Sequence, residues 1–243
     1  MQSTAALKTP SVEREVHDFN ITWGFHGLMQ LISRHHSEFE TVLDIGSGPG
    51  EHSRFFRLFG KEVFSLDLHE QADYVGDFMT YEFDRKFDVI WCSHVLEHQR
   101  NVGVFLDKIF DLLNDDGILA IAVPVHPRDR TVSGHLTSWN SGLLIYNLVL
   151  AGFDCREASF AHDYDLSLLV RKRPSSGGDV RAVAAYAKIE EVAQFFPYPV
   201  TDSGNMEVRM VNWPTTYPLA PLGRPVKLRI ENKLAGVIEA NLG

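Results

Sequence analysis

The stretch VLDIGSGPG, at residues 42–50, is the most informative segment of this chain. Its apolar first half predicts a buried strand, and its glycines predict a tight turn into a helix at residues 51–59. Because glycine has no Cβ, the backbone of such a turn can approach a ligand closely. In open α/β sheets such turns lie at the carboxyl edge, so this stretch predicts a ligand site.

The spacing of the glycines distinguishes two classes of ligand. A dinucleotide fingerprint reads G-x-G-x-x-G, whereas Gly46, Gly48 and Gly50 each alternate with one other residue. Asp44 precedes the first glycine by two positions. Its carboxylate would repel a pyrophosphate, but it suits a cationic group such as an ammonium. The pattern therefore disfavours NAD and favours a ligand with a positive charge.

A second acidic position lies at the end of the next predicted strand, residues 61–66. Asp67 follows that strand and is itself followed by Leu68. A carboxylate at this position can accept hydrogen bonds from both hydroxyls of a ribose, and no arginine stands beside it to bind a 2′-phosphate. The two acidic positions together indicate an adenosine site without phosphates.

Predicted strands and helices alternate along most of the chain. Near-helical apolar spacing predicts an amphipathic helix over residues 24–39, before the first strand at 41–45. Further strands are predicted at 87–92, 118–123, 155–161 and 165–172, and helices at 102–113 and 138–150, with a turn at Gly117. Strands separated by helices predict a Rossmann-like doubly wound α/β fold with about seven mostly parallel strands.

The chain divides by composition into three segments. Residues 1–40 are expected to form a helical cap or lid, and residues 41–173 the ligand-binding core. RPSSGG at 173–178 resembles a linker, and residues 174–243 form an extension with a helix at 181–196 and a weak hairpin at 226–230 and 236–240. We expect this extension to pack on the core or on a second subunit because it contains several aromatic residues: Phe195, Phe196, Tyr198, Trp213 and Tyr217.

Composition limits the classes of partner. The formal net charge is −9, and no run of Lys and Arg could follow a phosphate backbone, which argues against nucleic acid. No segment reaches the ~18 apolar residues of a membrane span, and the N-terminus lacks the apolar core of a signal peptide. Cys92 and Cys155 form no disulfide framework and are expected to be buried thiols. A cytoplasmic location is expected, and a homo-oligomer is possible.

Five segments together resemble the class I S-adenosylmethionine-dependent methyltransferases, particularly those with the type 11 methyltransferase domain. They are DIGSGPG at 44–50, SLD at 65–67, GDF at 76–78, FDVIWCSHVLEH at 87–98 and LLNDDGILAIAVP at 112–124. Each segment alone is a weak signal, but the set in this order, over roughly residues 41–172, is specific. The resemblance implies S-adenosylmethionine as the cofactor.

The resemblance also implies which residues hold this methyl donor. Asp44 would lie near its amino acid end and Asp67 on its ribose. Asp77 would accept from the exocyclic amine of the adenine, with Phe78 either beside the adenine or an ordinary core aromatic. The residues expected to bind the cofactor are Asp44, Gly46, Ser47, Gly48, Gly50, Asp67, Leu68, Asp77, Phe78 and Ser93.

The segment SHVLEH, residues 93–98, offers a competing interpretation. His94, Glu97 and His98 have the spacing of an inverted zinc-peptidase motif. A peptidase of that type needs the motif inside a long helix and a further carboxylate ligand downstream. The resemblance implies instead that this Glu and His belong to the scaffold, so no metal is expected.

Methyl transfer to a hydroxyl group requires a base, and histidine has a suitable pKa. The candidates at the predicted carboxyl edge are His94, His98, His126 and His135. His135 is followed by Trp139 and Asn140, which are expected to line an acceptor pocket. Trp23 is expected either to cover the donor or to fix the start of the first helix to the core.

Residues 134–170 loosely resemble methyltransferases of bacterial polysaccharide synthesis. The resemblance implies a small hydroxylated acceptor such as a sugar, nucleotide sugar or glycan. Two alternatives stay open: another small acceptor with a carboxylate, a phenol or a lipid link, and a non-catalytic partner protein that binds S-adenosylmethionine.

Overall fold

The structure, a computed structural model, describes residues 16–125, 131–173, 188–204, 208–214 and 226–231. The strands are β1 (Val16–Ile21), β2 (Thr41–Ile45), β3 (Glu62–Asp67), β4 (Tyr74–Val75), β5 (Phe87–Ser93), β6 (Leu113–Pro124), β7 (Ser159–His162), β8 (Asp165–Arg171), β9 (Met210–Val211) and β10 (Val226–Glu231). The α-helices are α1 (Phe25–His35), α2 (Glu51–Leu58), α3 (Val102–Leu112), α4 (Ser141–Leu150) and α5 (Ile189–Val192).

Eight strands form one sheet in the order β4-β3-β2-β5-β6-β8-β7-β9. Neighbours from β4 to β6 are parallel, and the remaining pairs are antiparallel. The main sheet starts in the middle with β2, extends through β3 and β4 to one side, and returns to β5 on the other side. The order therefore reverses between β2 and β5, and the crevice at their carboxyl ends is where α/β sheets bind ligands. The predicted doubly wound fold is confirmed.

Alternation of side chains along the central strands produces two hydrophobic cores. Leu43 and Ile90 face one side, in the core that also contains the apolar side chains of α3 and α4. Val42 and Val89 face the other side, in the core shared with α1 and α2. Successive side chains of a strand point to opposite faces, so strands that are apolar throughout are buried on both. This is why the central strands are continuous hydrophobic runs in the sequence.

The carboxylate of Asp88 fixes the opposite, amino edge of the sheet. One of its oxygens accepts hydrogen bonds from the backbone N–H of Glu40 at 3.0 Å and of Thr41 at 2.9 Å. Its other oxygen accepts from the side-chain amide of Asn114 at 2.8 Å. These bonds join the starts of β2, β5 and β6, which sets the relative positions of the strands whose far ends carry the candidate site.

The N-terminal segment differs from the predicted helical cap because a strand precedes its helix. Strand β1 pairs antiparallel with β10, from Val16↔Glu231 to Ile21↔Val226. The predicted hairpin paired residues 226–230 with residues 236–240, which lie outside the described residues. Local alternation of apolar residues indicates a strand but cannot reveal a partner from the other end of the chain.

Residues beyond the predicted linker contribute to the main sheet and its core. Strand β9 extends the sheet beside β7, and the side chains of Phe195, Phe196 and Trp213 are buried. Of the helix predicted at 181–196, the described part forms α5 and a 3-10 turn at Ala193–Phe195. The predicted strand at 155–161 begins only at Ser159, since Cys155–Glu157 is a 3-10 turn.

The described helices include none that is long and apolar enough to cross a membrane. Cys92 and Cys155 are buried free thiols, as predicted.

Candidate functional site

The glycine turn joins β2 to α2 at the carboxyl edge. Gly46 has a φ of +69°, and a Cβ there would lie 2.3 Å from Cγ2 of Val95, so a side chain has no room. A Cβ on Gly48 or Gly50 would meet no atom within 4 Å. The turn is thus packed against the neighbouring SHVLEH segment at its start and open further along, which is the shape of a cradle for a ligand.

Asp67 is held beside this turn. Its Oδ2 accepts a hydrogen bond from the Gly48 N–H at 2.8 Å, and its Oδ1 accepts from the His69 N–H at 3.1 Å. The side chain is 14% exposed. A carboxylate has about four acceptor positions, so lone pairs remain on the fixed oxygens for further donors. These oxygens fit the two hydroxyls of a ribose.

Asp77 and Leu68 lie next to Asp67. The Gly76 N–H donates to the backbone oxygen of Asp67 at 2.9 Å, which brings the turn after β4 to the end of β3. Asp77 is exposed, and its Oδ1 accepts from the Met79 N–H at 2.9 Å. Leu68 follows Asp67 in the chain, and its side chain is exposed. An exposed apolar side chain next to a fixed carboxylate is compatible with the flat ring of an adenine.

Asp44 lies beneath the glycine turn. Its side chain is 1% exposed, and its Oδ2 accepts from the hydroxyl of Ser53 at 2.6 Å. Burial raises the pKa of Asp44 to about 6, although the Ser53 hydrogen bond opposes this shift. Asp44 would therefore act on a bound cation through its charge, from below the loop. Ser47, also predicted to bind the cofactor, is buried in the turn.

Phe78 and Ser93 are less available to a ligand than the sequence suggested. Phe78 is buried, with its ring 4.9 Å from that of Phe105, so the structure favours the core role that the sequence left open. Ser93 ends β5 under the N-terminal segment, where a Cβ on Gly24 would lie 2.6 Å from its Oγ. Access to Ser93 therefore depends on that segment.

His94 lies between two buried carboxylates. Its Nδ1 is 3.4 Å from Oε1 of Glu97, and its Nε2 is 3.5 Å from Oδ2 of Asp165. Burial alone lowers the pKa of His94, but Asp165 and Glu97 outweigh burial and raise it to about 9. His94 also has a positive φ of 55°, an uncommon conformation for a residue other than glycine. A protonated imidazole has no free lone pair, which makes His94 a weaker candidate base than its neighbours.

Trp23 covers this group from the N-terminal segment. Its ring is 4.7 Å from that of His94 and stacks 5.3 Å from Tyr164, and its side chain is 47% exposed. Two bonds hold the backbone here: the Gly24 N–H donates to Asp165 at 2.8 Å, and His52 Nε2 donates to the Trp23 carbonyl at 3.0 Å. Burial lowers the pKa of His52 to about 4, so this imidazole is neutral. The position agrees with a cover over the site.

His98 and His135 meet beside the same carboxylate, Glu97. Their ring centroids are 5.0 Å apart, and Nε2 of His98 is 3.7 Å from Oε1 of Glu97. The Leu136 N–H donates to the backbone oxygen of Glu97 at 2.7 Å, which joins the loop of His135 to the SHVLEH turn. The sequence placed both histidines at this edge but gave no sign that they touch. His126 lies outside the described residues.

Some predicted residues have structural roles, and some residues at the site were missed. Trp139 is buried in the core, and the side chain of Asn140 caps α4 by accepting from Leu143 N at 2.8 Å, so neither forms a pocket rim. Tyr164 and Asp165 were not predicted. The one signal for Asp165 is a carboxylate at the start of the apolar strand DLSLLV, where burial demands a partner.

A family model described as "Methyltransferase domain" matches residues 22–151, more than half of the 243-residue chain. Among curated proteins, (S)-coclaurine N-methyltransferase from Papaver somniferum is 29% identical over an alignment of 119 residues, and the match covers 40% of this chain and 32% of that protein. Ubiquinone biosynthesis O-methyltransferase from Rhodopseudomonas palustris is 29% identical over an alignment of 97 residues, and the match covers 33% of this chain and 38% of that protein. The chain thus spans about a third of the length of these relatives.

Solved structures share the fold. The 1,6-didemethyltoxoflavin-N1-methyltransferase from Burkholderia thailandensis, with bound 1,6-didemethyltoxoflavin and S-adenosylhomocysteine, has a TM-score of 0.52 at 20% identity and covers 62% of this chain and 78% of its own. A putative methyltransferase from Bacillus halodurans has a TM-score of 0.51 at 18% identity, and the match covers 61% of this chain and 97% of that chain. The shared fold, the glycine turn and Asp67 agree with the matched family model. The chain therefore belongs to the class I S-adenosylmethionine-dependent methyltransferases.

Proposed function

We propose that this protein transfers a methyl group from S-adenosylmethionine to a hydroxyl group of a small acceptor such as a sugar, nucleotide sugar or glycan. The observation that carries the donor half of the proposal is the hydrogen bond from Gly48 N to Asp67, beside the open part of the glycine turn. It fixes a carboxylate with free lone pairs beside two glycines whose missing Cβ would meet no atom within 4 Å, which supports a nucleoside site here.

Each part of the donor has a candidate partner. Asp67 would accept from the ribose hydroxyls, Asp77 from the adenine amine, and Leu68 would cover the ring. The buried charge of Asp44 would stabilise the cationic amino acid end from beneath the turn. When bound, S-adenosylmethionine supplies an electrophilic methyl group on a sulfonium. The protein must then position an acceptor and remove its proton.

The acceptor half of the proposal is supported by the exposed ring of Trp23 beside a group of imidazoles and carboxylates. Sugars present CH faces that stack on aromatic rings and hydroxyls that need hydrogen-bond partners. The loose resemblance to methyltransferases of polysaccharide synthesis points to the same acceptors. The curated relatives methylate both nitrogen and oxygen by name, so the methylated atom is part of the proposal.

The proton of the acceptor hydroxyl would pass to His98 or His135. Both imidazoles belong to the SHVLEH turn or to the loop bonded to it, at the edge where β5 ends. Of the two, His98 is the more exposed. As the oxygen–methyl bond forms and the sulfur–methyl bond breaks, this proton passes to the imidazole, which leaves a neutral ether on the acceptor, S-adenosylhomocysteine and a protonated imidazole on the enzyme.

Calorimetric titration of the full chain with S-adenosylmethionine, S-adenosylhomocysteine and NAD tests the donor site. We expect micromolar binding of the first two and no binding of NAD. Turnover is then measured with panels of sugars, nucleotide sugars, phenols and carboxylates. For each active sugar, the amino analogue distinguishes oxygen from nitrogen as the methylated atom. Donor binding without turnover of any acceptor would favour a non-catalytic partner protein, and failure to bind either donor form would overturn the proposal.

A further inference from the structure

We propose that Glu97, His98 and His135 bind one divalent transition-metal ion, with Zn²⁺ as the test ion. One ligand atom from each of these three residues lies within 4.8 Å of the others. Two imidazoles and one carboxylate are a common ligand set for Zn²⁺ and for non-haem Fe²⁺. The sequence contained two of these ligands in SHVLEH, and the third comes from a loop that follows β6.

The hydrogen bond of His98 presents the correct ring nitrogen. Its Nδ1 lies 2.8 Å from the carbonyl oxygen of Gly134, and a carbonyl can only accept, so Nδ1 carries the proton. When the ring is neutral, Nε2 has a free lone pair, and this nitrogen lies 3.7 Å from Oε1 of Glu97. Metal-bound histidines typically donate their other ring N–H to a backbone carbonyl or carboxylate in this way.

Glu97 is a fully buried carboxylate whose two oxygens lack hydrogen bonds to the described residues. His94 and His98 approach it only at ion-pair distances of 3.4 and 3.7 Å. A buried carboxylate without hydrogen bonds is costly, and a bound cation would remove that cost.

To bind one ion, each pair of ligand atoms would have to approach by at most about 1.5 Å. A tetrahedral ion with bonds of ~2.0–2.1 Å holds its ligand atoms about 3.3 Å apart, and the Glu97–His98 pair is already at 3.7 Å. The loop is fixed to the turn at several points, because Leu136 N and Thr137 N both donate to the Glu97 carbonyl and His98 donates to Gly134. The two segments therefore form one framework for the three ligands.

Three protein ligands leave at least one coordination position open, as in catalytic zinc sites. Binding of the ion does not depend on the proposed function. Its role does: if the acceptor is a hydroxyl compound, its oxygen could occupy the open position, and the two imidazoles would act through the ion instead of taking the proton directly. The sequence alone led to the opposite expectation, that no metal is bound.

The test uses the full chain after treatment with a chelator and buffer exchange. Titration with Zn²⁺ is expected to show one equivalent bound, and Co²⁺ is expected to give visible bands of a four- or five-coordinate ion. His98→Ala and His135→Ala should each weaken Zn²⁺ binding at least tenfold. The matched control is His36→Ala, which removes an exposed histidine near the amino edge and should leave the affinity unchanged. Circular dichroism checks that each variant is folded.

Two outcomes would overturn the proposal: a wild-type protein that binds no stoichiometric Zn²⁺ and gives Co²⁺ the spectrum of the hydrated ion, or variants at both histidines that bind Zn²⁺ as tightly as the wild type. Titration with S-adenosylhomocysteine on the same samples separates the two proposals. A protein that binds S-adenosylhomocysteine but not Zn²⁺ would contradict the metal site alone. A protein that binds Zn²⁺ but not S-adenosylhomocysteine would contradict the donor site alone.

Discussion

The two halves of the carboxyl edge are built differently. The proposed donor half, formed by the glycine turn and Asp67, comes from consecutive elements, and its central hydrogen bond joins Gly48 to Asp67, only 19 positions away. The proposed acceptor half, around His94 and Glu97, joins distant segments, since Gly24 bonds to Asp165 across 141 positions and His98 bonds to Gly134 across 36. A site formed by neighbouring strands and turns can be detected as a local sequence motif. A site formed by contacts between distant segments cannot.

Replacing His135 by Ala is the strongest test of this division. We expect kcat to fall by roughly 10²–10⁴ with the acceptor found in the screen, because the variant loses either a general base or a metal ligand. The affinity for S-adenosylhomocysteine should stay within about twofold of the wild type, since His135 lies in the loop bonded to the SHVLEH turn and not in the glycine turn or at the end of β3. Steady-state kinetics and calorimetry on the same preparation measure both quantities.

His36→Ala is the control for this variant and should retain full activity. If His135→Ala and His98→Ala both turn over at the wild-type rate, neither imidazole takes part in the reaction. Donor affinity that falls together with kcat would show that the halves are coupled.

Replacing Asp67 by Ala tests the donor half. The variant loses the acceptor of the ribose hydroxyls and leaves the Gly48 N–H without its partner. Hydrogen bonds to a charged group are worth about 1.5–3 kcal/mol each, so the affinity for S-adenosylhomocysteine should fall roughly 10²-fold. Calorimetric titration measures this change. Asp84→Ala, which removes an exposed carboxylate elsewhere on the surface, should bind like the wild type; equal losses in the two variants would mean that Asp67 has no specific role.

The elements of the proposed donor half could be predicted from the sequence because their physical causes are local. A strand buried on both faces is a continuous apolar run, a turn with left-handed residues contains glycine, and a carboxylate at the next strand end follows at a fixed spacing. These causes located β2, the turn and Asp67 correctly. Phe78 was ambiguous because a core ring and a pocket wall have the same composition.

The sequence could not reveal the acceptor half for the opposite reason. That His94 lies between Glu97 and Asp165 depends on β8 pairing beside β6 and on the N-terminal segment closing over Ser93. Trp139 lies near His135 in sequence, which predicted a place in the acceptor pocket. The helix that follows it directs the ring into the core instead. Nor could the pairing of β1 with β10 be inferred from strand patterns alone.

Asp44 provides a test of charge within the donor half. Its folded pKa of about 6 lies above the ordinary carboxyl value because the group is buried. Asp44 is therefore mainly ionised at pH 7 and mainly neutral at pH 5. A bound cation favours the ionised form, so the affinity for S-adenosylmethionine should fall about fivefold from pH 7 to pH 5.

In Asp44→Asn this pH dependence should disappear, because the amide cannot ionise and can still accept from Ser53. The stability of the ligand-free protein should depend on pH in the opposite direction. A raised folded pKa means that ionisation destabilises the fold, so wild-type stability relative to the variant should decrease as pH rises from about 4 to 6. Chemical unfolding at several pH values measures this difference. Parallel pH profiles for the two proteins would refute the assignment of the charge to Asp44.

Replacing Trp23 by Ala is expected to have the smallest effect. Its ring lies between the two proposed halves of the site. Aromatic contacts are worth about 0.5–1.5 kcal/mol, so Trp23→Ala should raise the acceptor KM about threefold and leave donor affinity nearly unchanged. Trp23→Phe keeps a ring beside His94 and Tyr164 and should restore most of the loss, while Val104→Ala, an exposed apolar change on α3, should have no effect. If Trp23→Ala instead weakens S-adenosylhomocysteine binding and leaves the acceptor KM unchanged, the ring covers the donor. Trp23 would then belong to the donor half of the site.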